Sequence, residues 1–378
     1  MTWDHPRAYR GLEATSAAHE RDTGVAIAWD RRSLQAFADA PIGELAETYD
    51  LIVLDHPHVG LIADAACLLP LSMPEDAASA SLGGSLESYL WRDRLWALPV
   101  DAACQVAVER PDLVERRLPD WEAALDAAPG DYRLVTPLLP VDAFDMMMTL
   151  VASRGETALP HSPERFTSEA NGMLALRVLK ALYRLGPGDA VEWNPIRALE
   201  ALSTTNEFHA SPCLFGYVNY ATPGFRPHPL QYRDLPGFRD GGTARAILGG
   251  AGLGVSARTA HPEEAIAFAQ WVASKEVQGG LYLENEGQPA HRGAWLERGD
   301  DPRFSGFLHG AFYTMEHAWT RPRDPWFLGF VDEVCAIMPG FFGRDRDEET
   351  FLAEIDALYR EHRGKGEHTG KGTGEGSA

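Results

Sequence analysis

Two short stretches near the amino terminus place side chains of catalytic or ligand-holding type at matching positions. Met1-Thr2-Trp3-Asp4-His5-Pro6-Arg7 and Leu51-Ile52-Val53-Leu54-Asp55-His56-Pro57-His58 each run an apolar segment into Asp-His-Pro and then a cationic or imidazole side chain. Imidazoles titrate near neutrality, so His5, His56 and His58 can act as general acids or bases, with Asp4 and Asp55 fixing a tautomer. The plainer reading is that each Asp-His-Pro caps the next helix, since Asp is a good N-cap and Pro suits a first turn. Both readings stay open. A His56-x-His58 pair with His5 and an Asp has no recognised metal-ligand spacing, and no metal is assigned.

Other residues extend the candidate ligand set. Arg7, Arg31 and Arg292 can grip a carboxylate or phosphate in a bidentate manner, or simply lie in solvent. Asp101 sits where the chain is expected to cross between lobes and can reach a ligand hydroxyl or cap a turn. Tyr217 and Asn219 share one face of an expected strand, Cys213–Tyr220, where they can stack and hydrogen-bond; Tyr220 is assigned to the core. The glycines from Gly249 to Gly254 have no helix directly after them and no acidic residue at the dinucleotide offset. They imply no cofactor, and Gly250 is expected to let backbone approach a ligand or a hinge.

These residues need strands that end together. Proline cannot continue a ladder, so each Asp-His-Pro marks a strand end, and Val25–Trp29 running into Asp30-Arg31-Arg32 marks a third. Arg7 to Asp22 reads as an amphipathic helix closed by Gly24, and Ile42 to Thr48 as a short helix. Strands alternating with helices predict a parallel sheet, here in the order 2-1-3. That order sets the two Asp-His-Pro ends side by side at the carboxyl edge, where open α/β sheets bind ligands.

The rest of the chain bounds the function. With 378 residues, 45% of them hydrophobic, and no uninterrupted apolar run of membrane-spanning length, about two domains and no membrane insertion are expected. A net charge of −21 argues against a nucleic-acid partner, which needs a basic face. Cys67, Cys104, Cys213 and Cys335 are widely spaced and read as reduced thiols rather than zinc ligands or nucleophiles. No basic n-region or apolar h-region opens the sequence, so a cytoplasmic location is expected, and a periplasmic or extracellular one only if a leader was removed.

After residue 90 the texture changes. Arg94–Asp101 and Cys104–Val108 read as two extended runs, Asp142–Ser153 and Glu169–Leu185 as helices. Ala246–Val255 reads as two short strands around a glycine turn, and His261 opens a long helix. Trp326–Met338 and Glu348–His362 are helical, and the polar stretch from Gly364 to Ala378 is expected to be disordered.

Three of these segments carry a resemblance. Leu98-Pro99-Val100-Asp101-Ala102 followed by Arg110-Pro111-Asp112-Leu113-Val114 resembles the crossing segment of family 1 extracellular solute-binding proteins of ABC importers. Glu263-Glu264-Ala265-Ile266-Ala267-Phe268-Ala269-Gln270-Trp271 is similar to that family's late helix, and Gly287-Gln288-Pro289-Ala290-His291-Arg292 to the turn that follows it. The resemblance implies an α/β, two-lobed, type II periplasmic-binding-protein-like fold with discontinuous domains: 1–104 with 243–298, and 107–240 with 300–362. It also implies hinge closure on a small polar, hydroxylated or anionic metabolite, with an ABC permease as partner only if the protein is exported. The alternative is a cytoplasmic enzyme on the same fold, using His5, His56 or His58 as general acid or base with Asp55.

Overall fold

The computed structural model describes residues 1–34, 41–115, 117, 119–126, 132–343 and 346–370. Strand β1 (Thr2–Trp3) pairs in parallel with β2 (Arg31–Arg32). On its other side, toward β3 (Leu51–Leu54), the Met1 amino group donates to Leu51 O at 2.9 Å and Val53 N–H to Met1 O at 3.1 Å. The expected 2-1-3 order is therefore present. The Val25–Trp29 segment is not a strand: β1 offers an edge of only two residues, so pairing is confined to Arg31 and Arg32, while Ile27 and Trp29 pack on the core.

The helix after β1 spans Pro6–Thr23. It buries Ala8, Leu12, Thr15 and Ala18 at helical spacing, and Gly24 in the left-handed conformation ends it by donating to Glu20 O. Its N-cap is His5, not Asp4: the His5 ring accepts from Arg7 N–H.

A hairpin of β4 (Leu90–Trp91) and β5 (Arg94–Leu95) leads into β6, one continuous strand from Leu98 to Glu109 where two runs were expected. Strand β7 covers Ala210–Phe215, β8 Gln231–Arg233 and β9 Leu248–Val255. The sheet order is β3-β9-β6-β7, with β8 also on β6, and every pairing in it is antiparallel. The expected parallel sheet is thus confined to the corner around β1. Strand β9 returns from late in the chain and inserts between β3 and β6, which reverses the local direction.

Strand β6 changes partner along its length. From Leu98 to Cys104 it pairs with β9, and from Gln105 to Glu109 with β7 and β8. The core divides at the same place. Leu98 and Val100 belong to a cluster with Trp3, Leu12, Ile52, Trp96 and Phe268; Ala102, Cys104, Val106 and Val108 belong to a larger one with Trp121, Phe144, Leu179 and Phe330. Leu283, Ala290 and Trp295 lie in the larger cluster, so the stretch after Tyr282 runs along the seam. Strand β6, with the start of β9 beside it (Leu248 in the larger core, Leu253 and Val255 in the smaller), ties two separately packed cores together.

Strand β9 is single, not two strands about a turn, because its glycines admit close neighbours. Gly250 has φ +108°, and a Cβ there would stand 2.3 Å from Asp101 O, beside the irregularity at Pro99–Asp101. Strand β7 stops at Phe215, and Val218–Ala221 forms a 3₁₀ turn where strand was expected.

The Pro140–Ser153 and Glu169–Leu185 helices lie close to their expected spans. The Trp326–Gly343 helix is apolar and long enough to cross a membrane by composition alone, yet it turns Phe327, Phe330, Val334, Met338 and Phe341 into the larger core. The last helix spans Glu348–Gly370, so Gly364 to Gly370 is helical where a disordered tail was expected; a Glu361–Lys365 pair one turn apart supports the overrun. Residues 371–378 lie outside the described residues.

Candidate functional site

A cavity of about 510 Å³ opens where the two cores meet. Its first wall comes from Trp3 and Arg7 of the β1 corner and from Leu54, Asp55, Pro57 and His58 at the end of β3. Gly249, Gly250 and Ala251 of β9 and Ala103 of β6 form the floor. Facing them are Asp142 and Asp145 on the Pro140–Ser153 helix, Asn194 at the N-cap of the Pro195–Thr204 helix, Phe215 and Tyr217, Arg321, and Phe327, Asp332 and Cys335 on the Trp326–Gly343 helix. Aromatic and acidic side chains both line it.

Asp55 is the best-tied group of the first wall. One oxygen accepts from His56 N–H at 2.7 Å and lies 3.0 Å from the His56 Nδ1; the other accepts from Arg321 at 2.5 Å. Burial works against its charge, but Arg321 and His56 outweigh burial and hold the carboxyl well below the usual range. Arg321 also reaches Asp145 at 3.8 Å. Asp145 is buried, which pushes its carboxyl up to about 6 despite Arg321, and Asp55 adds to the shift. Asp142 is pushed well above the usual range by burial and then by Asp145.

Arg7 enters the cavity from the first turn of its helix. Nε donates to Asp101 at 2.7 Å, a second donor meets the other Asp101 oxygen, and Nη1 donates to Gly216 O at 3.0 Å. Burial opposes its charge and the Asp101 carboxylate more than restores it, so Arg7 stays cationic. Its guanidinium lies 4.3 Å from the centre of the Tyr217 ring.

Of the candidates read from sequence, Arg7, Asp55, His58, Tyr217 and Gly250 meet the cavity. The others need correction. His5 is enclosed by Tyr217, Tyr220 and Phe225, and burial, with Arg7 and Arg226, lowers its pKa to about 3. His56 is buried behind Asp55, and burial lowers its pKa to about 4. Both rings are neutral at pH 7 and lie outside the cavity's described walls, so the general acid–base role assigned to them lacks access to a ligand. Asp101 is spent on Arg7. Asp4 is exposed near Arg31, and Arg31 stacks on Tyr9 and pairs with Glu13. Asn219 donates to Glu286 at 3.1 Å, and Arg292 pairs with Glu316 at 2.6 Å, both away from the cavity. The two Asp-His-Pro copies do lie at adjacent strand ends, but mainly as caps.

Asp142, Asp145, Asn194, Arg321 and Asp332 were not anticipated. A signal existed for the first two: carboxylates at i and i+3 in a helix that is otherwise apolar all round are costly unless they serve something. Arg321 lies in an irregular stretch and carries no such mark. Among the described residues no group of three or more His, Cys, Asp or Glu side chains is arranged to hold a metal ion. Cys104 and Cys213 are buried, and burial pushes both thiols far above their ordinary range, as befits inert core residues.

No protein-family model matches the chain. Solved structures do. A solute-binding protein of an ABC transporter from Thermotoga lettingae, bound with alpha-D-tagatose, superposes with a TM-score of 0.79 at 15% identity, covering 94% of this chain and 96% of that one. An ABC-transporter solute-binding protein from Agrobacterium radiobacter in complex with ribitol gives 0.76 at 18%, covering 93% and 94%. The maltotriose-binding protein of Thermus thermophilus, bound with maltotriose, gives 0.75 at 17%, covering 95% and 97%. Likeness of this kind establishes the fold: α/β, two-lobed and of the type II periplasmic-binding-protein class.

Proposed function

We propose that this chain binds one small, polar, hydroxylated molecule in the cavity between its two cores and closes on it by hinging. The observation that carries the reading is that cavity itself. About 510 Å³ is within the range that encloses a small ligand, and Asp55, Asp142, Asp145, Asn194 and Arg321 converge on it beside aromatic faces from Trp3, Phe215, Tyr217 and Phe327. Carboxylates and amides suit hydroxyl groups, and flat rings suit the apolar faces of sugars. Neighbours of the same fold hold tagatose, ribitol and maltotriose, all rich in hydroxyls.

An anionic ligand fits less well. Both cavity guanidiniums already carry carboxylates, Arg7 on Asp101 and Arg321 on Asp55. The lobes belong to the same proposal: 1–104 with 243–298 against 107–240 with 300–362, hinged on β6 between Cys104 and Gln105, where its pairing partner changes. An ABC permease as partner applies only to an exported form.

A thermal-shift and calorimetric survey of pentitols, ketohexoses and malto-oligosaccharides tests the reading. Saturable binding by at least one of them supports it, since a ligand at about 100 times its Kd stabilises the native state by about 2.7 kcal/mol. If none of these compounds, and no other hydroxylated metabolite, raises the melting temperature, the reading is wrong.

A further inference from the structure

The Pro140–Ser153 helix is buried along nearly its whole length, yet two carboxylates sit in its first turns. Asp142 is 7% exposed and Asp145 5%, and residues three apart share one helix face. Asp145 has Arg321 at 3.8 Å. The Asp142 carboxylate makes no hydrogen bond or ion pair among the described residues, although it lines the cavity and the residue is more than nine-tenths buried.

Its electrostatic neighbours offer no positive charge. They are Asp145 on its own helix, Cys213 on β7 and Tyr217 beyond it. His58 stands across the cavity, and Asp332, on the Trp326–Gly343 helix, lines it as well. Four carboxylates (Asp55, Asp142, Asp145 and Asp332) and two guanidiniums (Arg7 and Arg321) line the described walls. Arg7 is already matched by Asp101 from behind. Burying a carboxylate without a counter-charge is costly, so Asp142 must take up a proton or a cation. With no third metal-ligating side chain grouped there among the described residues, the cation the geometry suits is an organic ammonium.

We propose that the ligand of this cavity carries a protonated amine beside its hydroxyl groups, as in an aminopolyol or amino sugar, and that the ammonium sits between Asp142 and Asp145. This rests on the cavity being the ligand site. In the unliganded protein burial favours the protonated form of Asp142, and Asp145 takes up a proton below about pH 6. Ammonium binding needs the carboxylates ionised, so it expels a proton, and the affinity for an amine that stays protonated rises with pH through that value. A neutral polyol gains nothing from the change.

The experiment is calorimetric titration with matched pairs: D-glucitol and D-glucamine, D-glucose and D-glucosamine, D-galactose and D-galactosamine. Each is run at pH 5 and pH 8, in buffers of different ionisation enthalpy, on the wild-type chain and on Asp142→Asn. At pH 8 an amino member should bind at least about tenfold tighter than its neutral partner. That advantage should shrink at pH 5, and proton release should show as a buffer-dependent heat. Asp142→Asn should lose the advantage while its unliganded melting temperature does not fall. D-Glucitol binding as tightly as D-glucamine, an alkylamine still protonated at pH 8, overturns the ammonium proposal and leaves the cavity reading intact. A preference that survives in Asp142→Asn overturns its placement. If the variant does not fold, buffer-independent heat in the wild type overturns it instead. Failure of every pair, with no hydroxylated compound binding in the wider survey, overturns the cavity reading and the proposal with it.

Discussion

Arg321 donates to Asp55 at 2.5 Å across 266 positions of sequence, joining the end of β3 to a segment that runs beside the larger core. The contact lies in the cavity lining and holds the Asp55 carboxylate ionised. Leaving one partner of a buried ion pair unmatched typically costs about 3–5 kcal/mol. Arg321→Met should therefore lower stability by that order, read from urea unfolding, and Asp55→Asn should cost less because Arg321 keeps Asp145 at 3.8 Å. Equal stability of Arg321→Met and wild type would show that the pair does not hold the structure together.

Arg7 makes a second tie at the cavity wall, through Asp101 and Gly216 O. Only a planar fork satisfies both at once. Arg7→Lys should accordingly lose about 2–4 kcal/mol, by analogy with other buried charge-assisted contacts. A urea midpoint unchanged in Arg7→Lys would mean that the charge alone matters and the bidentate geometry does not.

The buried imidazoles set an acid limit. His56 has its folded pKa lowered to about 4 from an unfolded value near 6.5. A lowered folded pKa contributes stability that is fully present above about 6.5 and is lost as pH falls toward 4, here about 3 kcal/mol over the interval. His56→Asn keeps a donor for Asp55 and cannot titrate. Its stability should fall less than that of wild type between pH 6.5 and 4; parallel profiles in the two proteins would contradict a neutral, buried His56.

Asp145 works in the opposite direction. Its carboxyl is raised to about 6, so the folded state holds the proton more tightly than the unfolded one and stability is lost as pH rises from about 4 through 6. Asp145→Asn should remove that loss and raise the stability of the unliganded protein at pH 7 by up to about 3 kcal/mol. A lower melting temperature for Asp145→Asn at pH 7 would point to Asp145 as a needed partner of Arg321 rather than a group strained by burial.

The sequence is informative where local rules dominate and silent where distant segments meet. The Pro6–Thr23 helix follows from apolar spacing and the glycine that ends it, and β3 from four consecutive apolar residues. The 2-1-3 corner follows from strand and helix alternation. The antiparallel main sheet does not, because β9 arrives nearly two hundred residues after β3, and nothing local records where it inserts. Of the site, Arg7 and Asp55 are legible from the repeated Asp-His-Pro context. His5 and His56 mislead, because a neutral imidazole packs in a core as readily as it serves a ligand. Arg321 is invisible until the fold brings it to Asp55.

The most direct test of the account compares ligand affinity in cavity and surface variants of one chain. With the best binder from the survey of hydroxylated and amino-hydroxylated compounds, calorimetry should show Asp142→Ala and Asp145→Ala weakening binding at least about tenfold, or about 1.4 kcal/mol. Arg31→Ala and Arg292→Ala, whose side chains pair with Glu13 and Glu316 outside the cavity, should bind as wild type does. Undiminished binding in both aspartate variants, or a loss confined to the surface arginines, would contradict the assignment of the cavity as the ligand site.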